Sequence, residues 1–183
     1  MSQLFTFDEN LREVPLDPAA MEHKISDLKA AAESESMKER AAALGEMGIY
    51  LRILNRLEEA EEAIDEALLL VLKHALGPRM EVQQQLRLAH VYQWQKRFNL
   101  STRIFKEMTL YCMTEPGLTD LLDFVWQHSG KNLFDQKMYA EALRAFKKAL
   151  ELRVKRGAPE DLLASSRIAV QRTEQLIAGA YIQ

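Results

Sequence analysis

The chain has one cysteine, Cys112, in 183 residues. A lone thiol closes no internal disulfide, and a zinc site on it would need histidines or carboxylates as further ligands. Glycine and proline are scarce, at seven and five, which argues against a turn-rich all-β fold. No apolar run reaches the roughly 18 residues expected of a membrane span. The opening MSQLFTFDENLREV places acids early and lacks the basic-then-apolar order of a secretory signal. No P-loop, glycine-rich dinucleotide turn, HExxH, CxxC or GxSxG is present. Together these absences lead to the expectation of a soluble, non-enzymatic protein of the reducing cytoplasm, without cofactor or metal.

What is present is helical. Apolar residues make up 48% and charged residues 28%, the balance of a globular chain rather than a disordered one. Ala, Leu, Glu, Lys and Arg, the strong helix formers, fill about half of it. The net charge is −3 and unevenly placed: residues 1–91 hold 10 bases and 17 acids, residues 92–183 hold 14 bases and 10 acids. This mild dipole would favour head-to-tail contact or orient a partner. It is too weak for a nucleic-acid footprint.

Three stretches superpose at a spacing of 41 residues. Ala60, Ser101 and Ala142 align. So do Leu57, Phe98 and Tyr139 before them, and Ile64, Phe105, Phe146 and Ala67, Met108, Ala149 after them. Upstream, Gly48, Ala89 and Gly130 align, as do Leu51, Tyr92 and Leu133. A helical hairpin explains the order. Small residues sit where two helices cross closely, and large ones fill the spaces between. One hairpin cannot bury both its faces, so copies stack and share a core.

These residues resemble the tetratricopeptide repeat, whose pattern is W-x2-L-G-x2-Y and then A-x3-F. The third copy has Trp126, Ser129, Gly130 and Leu133, then Ala142 and Phe146; the first has Leu44, Met47, Gly48 and Leu51, then Ala60 and Ile64; the second has Gln85, Leu88, Ala89 and Tyr92, then Ser101 and Phe105. The 41-residue period is similar to that of the long-repeat branch found in kinesin light chains. The resemblance covers roughly residues 37–157. It implies an all-α, right-handed α-α superhelix of about three hairpins at 37–77, 78–116 and 117–157, with flanking N- and C-terminal helices.

Local punctuation agrees. Gly77-Pro78, Pro116-Gly117 and Gly157-Ala158-Pro159 mark turns between hairpins. Asn55, Asn99 and Gln136 lie near the turns within them. Asp17-Pro18 opens a helix through about Ala32, and Ser34 or Ser36 caps the next. Residues 160–180 read as a capping helix with apolar Leu162, Leu163, Ile168, Val170, Leu176 and Ile177. A single repeat domain thus spans 17–182, preceded by an arm, 1–16. The arm carries Leu4, Phe5, Phe7, Leu11, Val14 and Leu16 but no helical stripe long enough to fold alone. It is expected to dock on the array, in its own groove or a neighbour's, or to cover the first repeat's open end.

His90 and His128 fall near corresponding places and, with Cys112, offer a candidate metal pair, as the acids 58–66 offer a candidate cation site. Groove-lining polar residues explain the histidines better, since a site needs three or four converging ligands. Cys112 reads as a small hydrophobe. The acids Glu58, Glu59, Glu61, Glu62, Asp65 and Glu66 read as a solvated helix start. The bases Arg144, Lys147, Lys148, Arg153, Lys155 and Arg156 read as a solvated helix end.

The resemblance implies that the first helix of each hairpin lines a concave groove. Its leftover face offers Glu46, Ile49, Arg52 and Ile53, then Arg87, His90, Gln93 and Trp94, then Phe124, His128, Lys131 and Phe134. Trp94 and Phe134 have the character of anchors, and Arg52, Arg87 and Lys131 that of carboxylate holders. Family members that clamp a C-terminal carboxylate place Asn where this chain has Glu46, Arg87 and His128, a departure that argues against that clamp. The expected function is a protein–protein interaction module that takes a partner peptide or helix, with no nucleic acid and no membrane. The alternative is a self-associating structural subunit, for instance a homodimer, and after it a metal-dependent regulator or enzyme.

Overall fold

A computed structural model describes residues 4–180. The chain is all-α apart from one small hairpin. Eight α-helices are present among the described residues: α1 (Pro18–Ala31), α2 (Met37–Ile53), α3 (Leu57–Lys73), α4 (Pro78–Trp94), α5 (Phe98–Thr114), α6 (Leu122–Asp135), α7 (Tyr139–Lys155) and α8 (Glu160–Ala180). A short 3-10 turn, Thr119–Leu121, leads into α6. The chain packs as two compact units, Met1–Arg97 and Phe98–Gln183. Their boundary falls in the turn between α4 and α5.

The 41-residue frame is kept in the backbone. Helices α3, α5 and α7 each have 17 residues and begin 41 apart, as do α2 and α4. The turns after α2, α4 and α6 reach the left-handed region at Asn55, Lys96 and Lys137, with φ of 62°, 60° and 62°. In each, the next residue's N–H reaches back to a carbonyl in the last helical turn: Arg56 to Leu51 at 2.9 Å, Arg97 to Tyr92 at 2.8 Å, Met138 to Leu133 at 3.0 Å. This is the Schellman closure, which satisfies orphan carbonyls at a helix end. Asn55 is thus the turn residue that was expected. Asn99 lies instead inside the first turn of α5, and Gln136 is the C-cap of α6; lysines hold the left-handed positions in their place.

In the first unit, Asp17 caps α1 by accepting from Ala20 N at 2.9 Å, and Ser36 caps α2 by accepting from Glu39 N at 3.4 Å. Leu28 and Ala32 pack against Ala43, Leu44 and Ala67, so α1 covers the open side of the first hairpin. Gly48 is required where α2 crosses α3: a Cβ there would collide with Ile64 and approach the Ala60 carbonyl at 3.2 Å. Helix α2 also packs on α4, where buried Gln84 donates to the Ala41 carbonyl at 3.2 Å.

The arm is not helical. Residues Phe5–Phe7 (β1) and Glu13–Pro15 (β2) pair antiparallel, with Thr6 opposite Val14. The turn between them is built by Asp8, whose carboxylate accepts from the N–H groups of Asn10 and Arg12, both at 2.8 Å. Leu11 follows in the left-handed region at φ 62° with its side chain buried.

In the second unit, α6 crosses α7 at Gly130, where a Cβ would meet the Phe146 ring at 2.5 Å. Ser101, Ala142, Phe105, Phe146 and Ala149 are buried as the repeat pattern requires. Helix α8 packs on α7, but not through its largest residues. Its buried stripe is Ser166, Ala169 and Thr173, while Leu162, Leu163, Val170, Leu176 and Ile177 are half-buried and Ile168 is exposed. The capping face is therefore rotated from the one its apolar residues suggest.

Candidate functional site

Each unit buries one arginine in a built polar centre. In the first, Arg52 closes the last turn of α2, where positive charge complements the helix dipole. Its Nη1 donates to Glu13 of β2 at 3.0 Å. Both side chains are nearly sealed, 3% and 7% exposed. Trp94, the last residue of α4, sits beside the pair. The guanidinium carbons of Arg52 and Arg12 lie 4.8 and 5.0 Å from its ring centroid, within cation–π range. Helices α2 and α4 thus present a face on which the β-hairpin is seated, and the hairpin's carboxylate neutralises that face's buried charge.

In the second unit, Arg153 of α7 carries more partners. Its Nε donates to Asp123 at 3.0 Å, and its Nη1 donates to the Leu162 carbonyl and to Ser166 Oγ, both at 2.8 Å. Ser166 in turn donates to Gln127 at 2.7 Å, and Arg156 shares Asp123 at 3.0 Å. Both guanidiniums lie over Phe124, at 5.5 and 5.6 Å. Burial lowers the pKa of Arg153 from its ordinary value, and the Asp123 carboxylate opposes that. Asp123 Oδ1 and Gln127 Nε2 are buried and make no hydrogen bond. The solvated helix end expected for Arg153 is corrected here: the residue is 2% exposed and ties α6, α7 and α8 together. Among the other bases Arg144, Lys147, Lys148 and Lys155 are exposed, as expected.

The twelve residues expected to line an open groove are placed otherwise. Arg52, Ile53, His90, Gln93, Lys131 and Phe134 are buried; Glu46, Ile49, Arg87, Trp94, Phe124 and His128 are half-buried; none is fully exposed. Around Trp94 the cover is the chain's own hairpin. Glu46 pairs with Lys24 of α1 at 3.5 Å. Arg87 bonds Gln84 at 3.0 Å, and burial lowers its pKa, with Glu46 opposing. Phe134 packs edge-on against Tyr139 at 5.3 Å. The anchor character of Phe134 is thus used up inside the third hairpin.

Two features escaped sequence reasoning. Glu13 sits 39 residues before its partner in an arm that has no helical pattern. Asp123 and Gln127 share one face of α6 at a spacing of four residues, but only the fold brings them to Arg153. A shallow depression of about 400 Å³ on the second unit is lined by Phe98, Asn99, Thr102, Arg103, Lys106 and Gln136, none of them from the expected set. Among the described residues no group of three His, Cys, Asp or Glu side chains gathers as a metal site. No helix there is long and apolar enough to cross a membrane.

These features define the class: consecutive α-helices in a 41-residue frame, packed as two units, with a β-hairpin seated on α2 and α4 of the first. No protein-family model matches the chain, and no curated protein matches it.

Proposed function

We propose that the protein is a non-enzymatic, tetratricopeptide-like interaction module of the cytoplasm, and that a partner segment binds on the face of α2 and α4 around Trp94. The observation that carries this reading is the seat of the hairpin. An extended segment already lies there, its carboxylate on buried Arg52 and its Arg12 on Trp94. The face therefore has the chemistry to hold an extended segment, and the arm is the stand-in for one. A buried arginine left without a carboxylate is costly, about 1–3 kcal/mol where lifting the hairpin lets water reach it. A partner that lifts the hairpin must therefore bring its own acid. Neutral segments are disfavoured by the same cost.

The test is capture of partners from native lysate with the full chain, with the Trp94→Ala variant, and with a chain lacking residues 1–15. If the arm competes with the partner for this face, the truncated chain captures more strongly and Trp94→Ala at least tenfold more weakly. Equal capture by all three folded proteins overturns it. Loss of stability on truncation with no gain in capture makes the hairpin a permanent cover of the first unit.

A further inference from the structure

Most of the exposed large apolar side chains fall at repeat positions. Nine such residues are exposed among the described residues, and five of them occupy two positions of the 41-residue frame. Leu69 and Leu110 share one, at 63% and 65% exposure; Leu72, Met113 and Val154 share the other, at 55%, 60% and 60%. All five lie on the outer stripes of second helices, turned away from the buried stripes that contain Ala60, Ser101 and Ala142. An exposed position kept apolar in all three repeats marks a contact surface better than scattered apolar residues do.

The charges on those stripes supply the occupant. On α3 the stripe continues toward the N-terminus as Glu62, Asp65 and Glu66, all exposed. The same three frame positions on α7 are Arg144, Lys147 and Lys148, also exposed. The stripe is acidic in the first unit and basic in the second, position for position. We infer that the two stripes dock on each other between copies: the outer face of α3 in one chain lies parallel and in register against the outer face of α7 in the next. In that register three acids meet three bases, and Leu72 meets Val154. The antiparallel arrangement would set Leu72 toward Arg144.

The present partners of these charges do not oppose the exchange. Glu66 pairs with Arg40 at 3.4 Å, Arg144 with Glu141 at 3.4 Å, Lys147 with Glu174 at 2.8 Å and Lys148 with Glu151 at 3.0 Å. All are solvent-exposed pairs of long side chains, which contribute little and are readily traded. Glu151, opposite Leu69 in this register, releases Lys148 to Glu66 and stays at the solvent edge of the stripe. The net gain comes from the apolar end of the stripe, and the charges set direction and register. The two faces are unlike, so each chain offers one of each to a neighbour. The contact is heterologous and can extend beyond a pair.

The test is light scattering over a range of concentrations at low salt, with two full-length variants. One carries Glu62→Lys, Asp65→Lys and Glu66→Lys; the other carries Arg144→Glu, Lys147→Glu and Lys148→Glu. The wild-type chain is expected to associate at low salt, and more weakly and with less choice of register in about 1 M salt, where charges are screened beyond about 3 Å. Each variant alone should associate at least tenfold more weakly. An equal mixture of the two should recover wild-type association within threefold, since a basic α3 then meets an acidic α7. A wild-type chain that stays monomeric at every concentration overturns the inference, as does a mixture no better than its components. Should a triple variant fail to fold by circular dichroism, Leu72→Glu and Val154→Glu take its place, each expected to weaken association at least tenfold. This experiment involves no foreign partner and no residue of the Trp94 face, so it stands or falls apart from the function proposed above.

Discussion

Arg52 and Arg153 are both about as buried as an arginine can be, yet they are held differently. Arg52 depends on one carboxylate and one ring, and the carboxylate arrives on a two-stranded hairpin. Arg153 has a carboxylate, a main-chain carbonyl and a hydroxyl drawn from two helices, with Gln127 behind the hydroxyl. A two-stranded hairpin is marginal by itself, whereas α8 is a helix of 21 residues packed along α7. The same chemical need, a counter-charge for a sealed guanidinium, is therefore met once by a short hairpin and once by a long helix. On the function proposed above, the difference separates a surface that changes occupants from a joint that only holds α6, α7 and α8 together.

The largest effect should come from breaking the fixed joint. Asp123→Ala leaves Arg153 and Arg156 without their shared carboxylate and should destabilise the chain by about 3–5 kcal/mol, read as a fall in thermal midpoint. Glu13→Ala should cost less, about 1–3 kcal/mol, because the hairpin can lift and admit water to Arg52. Equal costs at the two sites, measured in denaturant, would erase the contrast. A third comparison sets Gly130→Ala against Gly48→Ala. The new methyl meets the flat Phe146 ring in one; in the other it meets Ile64 at Cγ1, near the stiff base of a β-branched chain, with the Ala60 carbonyl 3.2 Å away. The first should lose about 1–3 kcal/mol, and the second at least as much.

The smallest effect concerns a carboxylate placed beside another acid. Burial and then the charge of Glu61 raise the pKa of Asp65 above its ordinary 3.8, with Arg97 opposing. The ionised form is thus disfavoured in the fold, and stability is lost as pH rises through the interval between the ordinary and the raised pKa. Asp65→Asn should stabilise the chain at neutral pH by no more than about 0.5 kcal/mol. The gain should vanish below about pH 3, where Asp65 is protonated in both states. A gain that persists in acid would point to a cause other than ionisation.

The helices were legible in the sequence because their signal is periodic and occurs three times. Gly48, Gly130, Ala60 and Ala142 mark the crossings in one dimension as clearly as in three. The centres were not legible, and the reason is distance along the chain. Arg153 stands in a run of bases that looks solvated, and nothing local says that Asp123 lies against it. The hairpin rests on a five-residue turn and three-residue strands, too short for alternation to register. Helix α8 misled in a different way. Its large apolar residues suggested the buried face, but close packing selected Ser166, Ala169 and Thr173.

The turns after α2, α4 and α6 have a use that their geometry suggests. Asn tolerates the left-handed backbone at position 55, but lysine pays a steric penalty for its Cβ at Lys96 and Lys137. Both lysines are exposed. Glycine at either site would relieve that crowding without altering a packed side chain, although the unfolded chain would gain freedom in return. Asparagine avoids the second half of that exchange. The repeat thus supplies its own engineering template: the residue already accepted in the first turn is the one to graft into the other two.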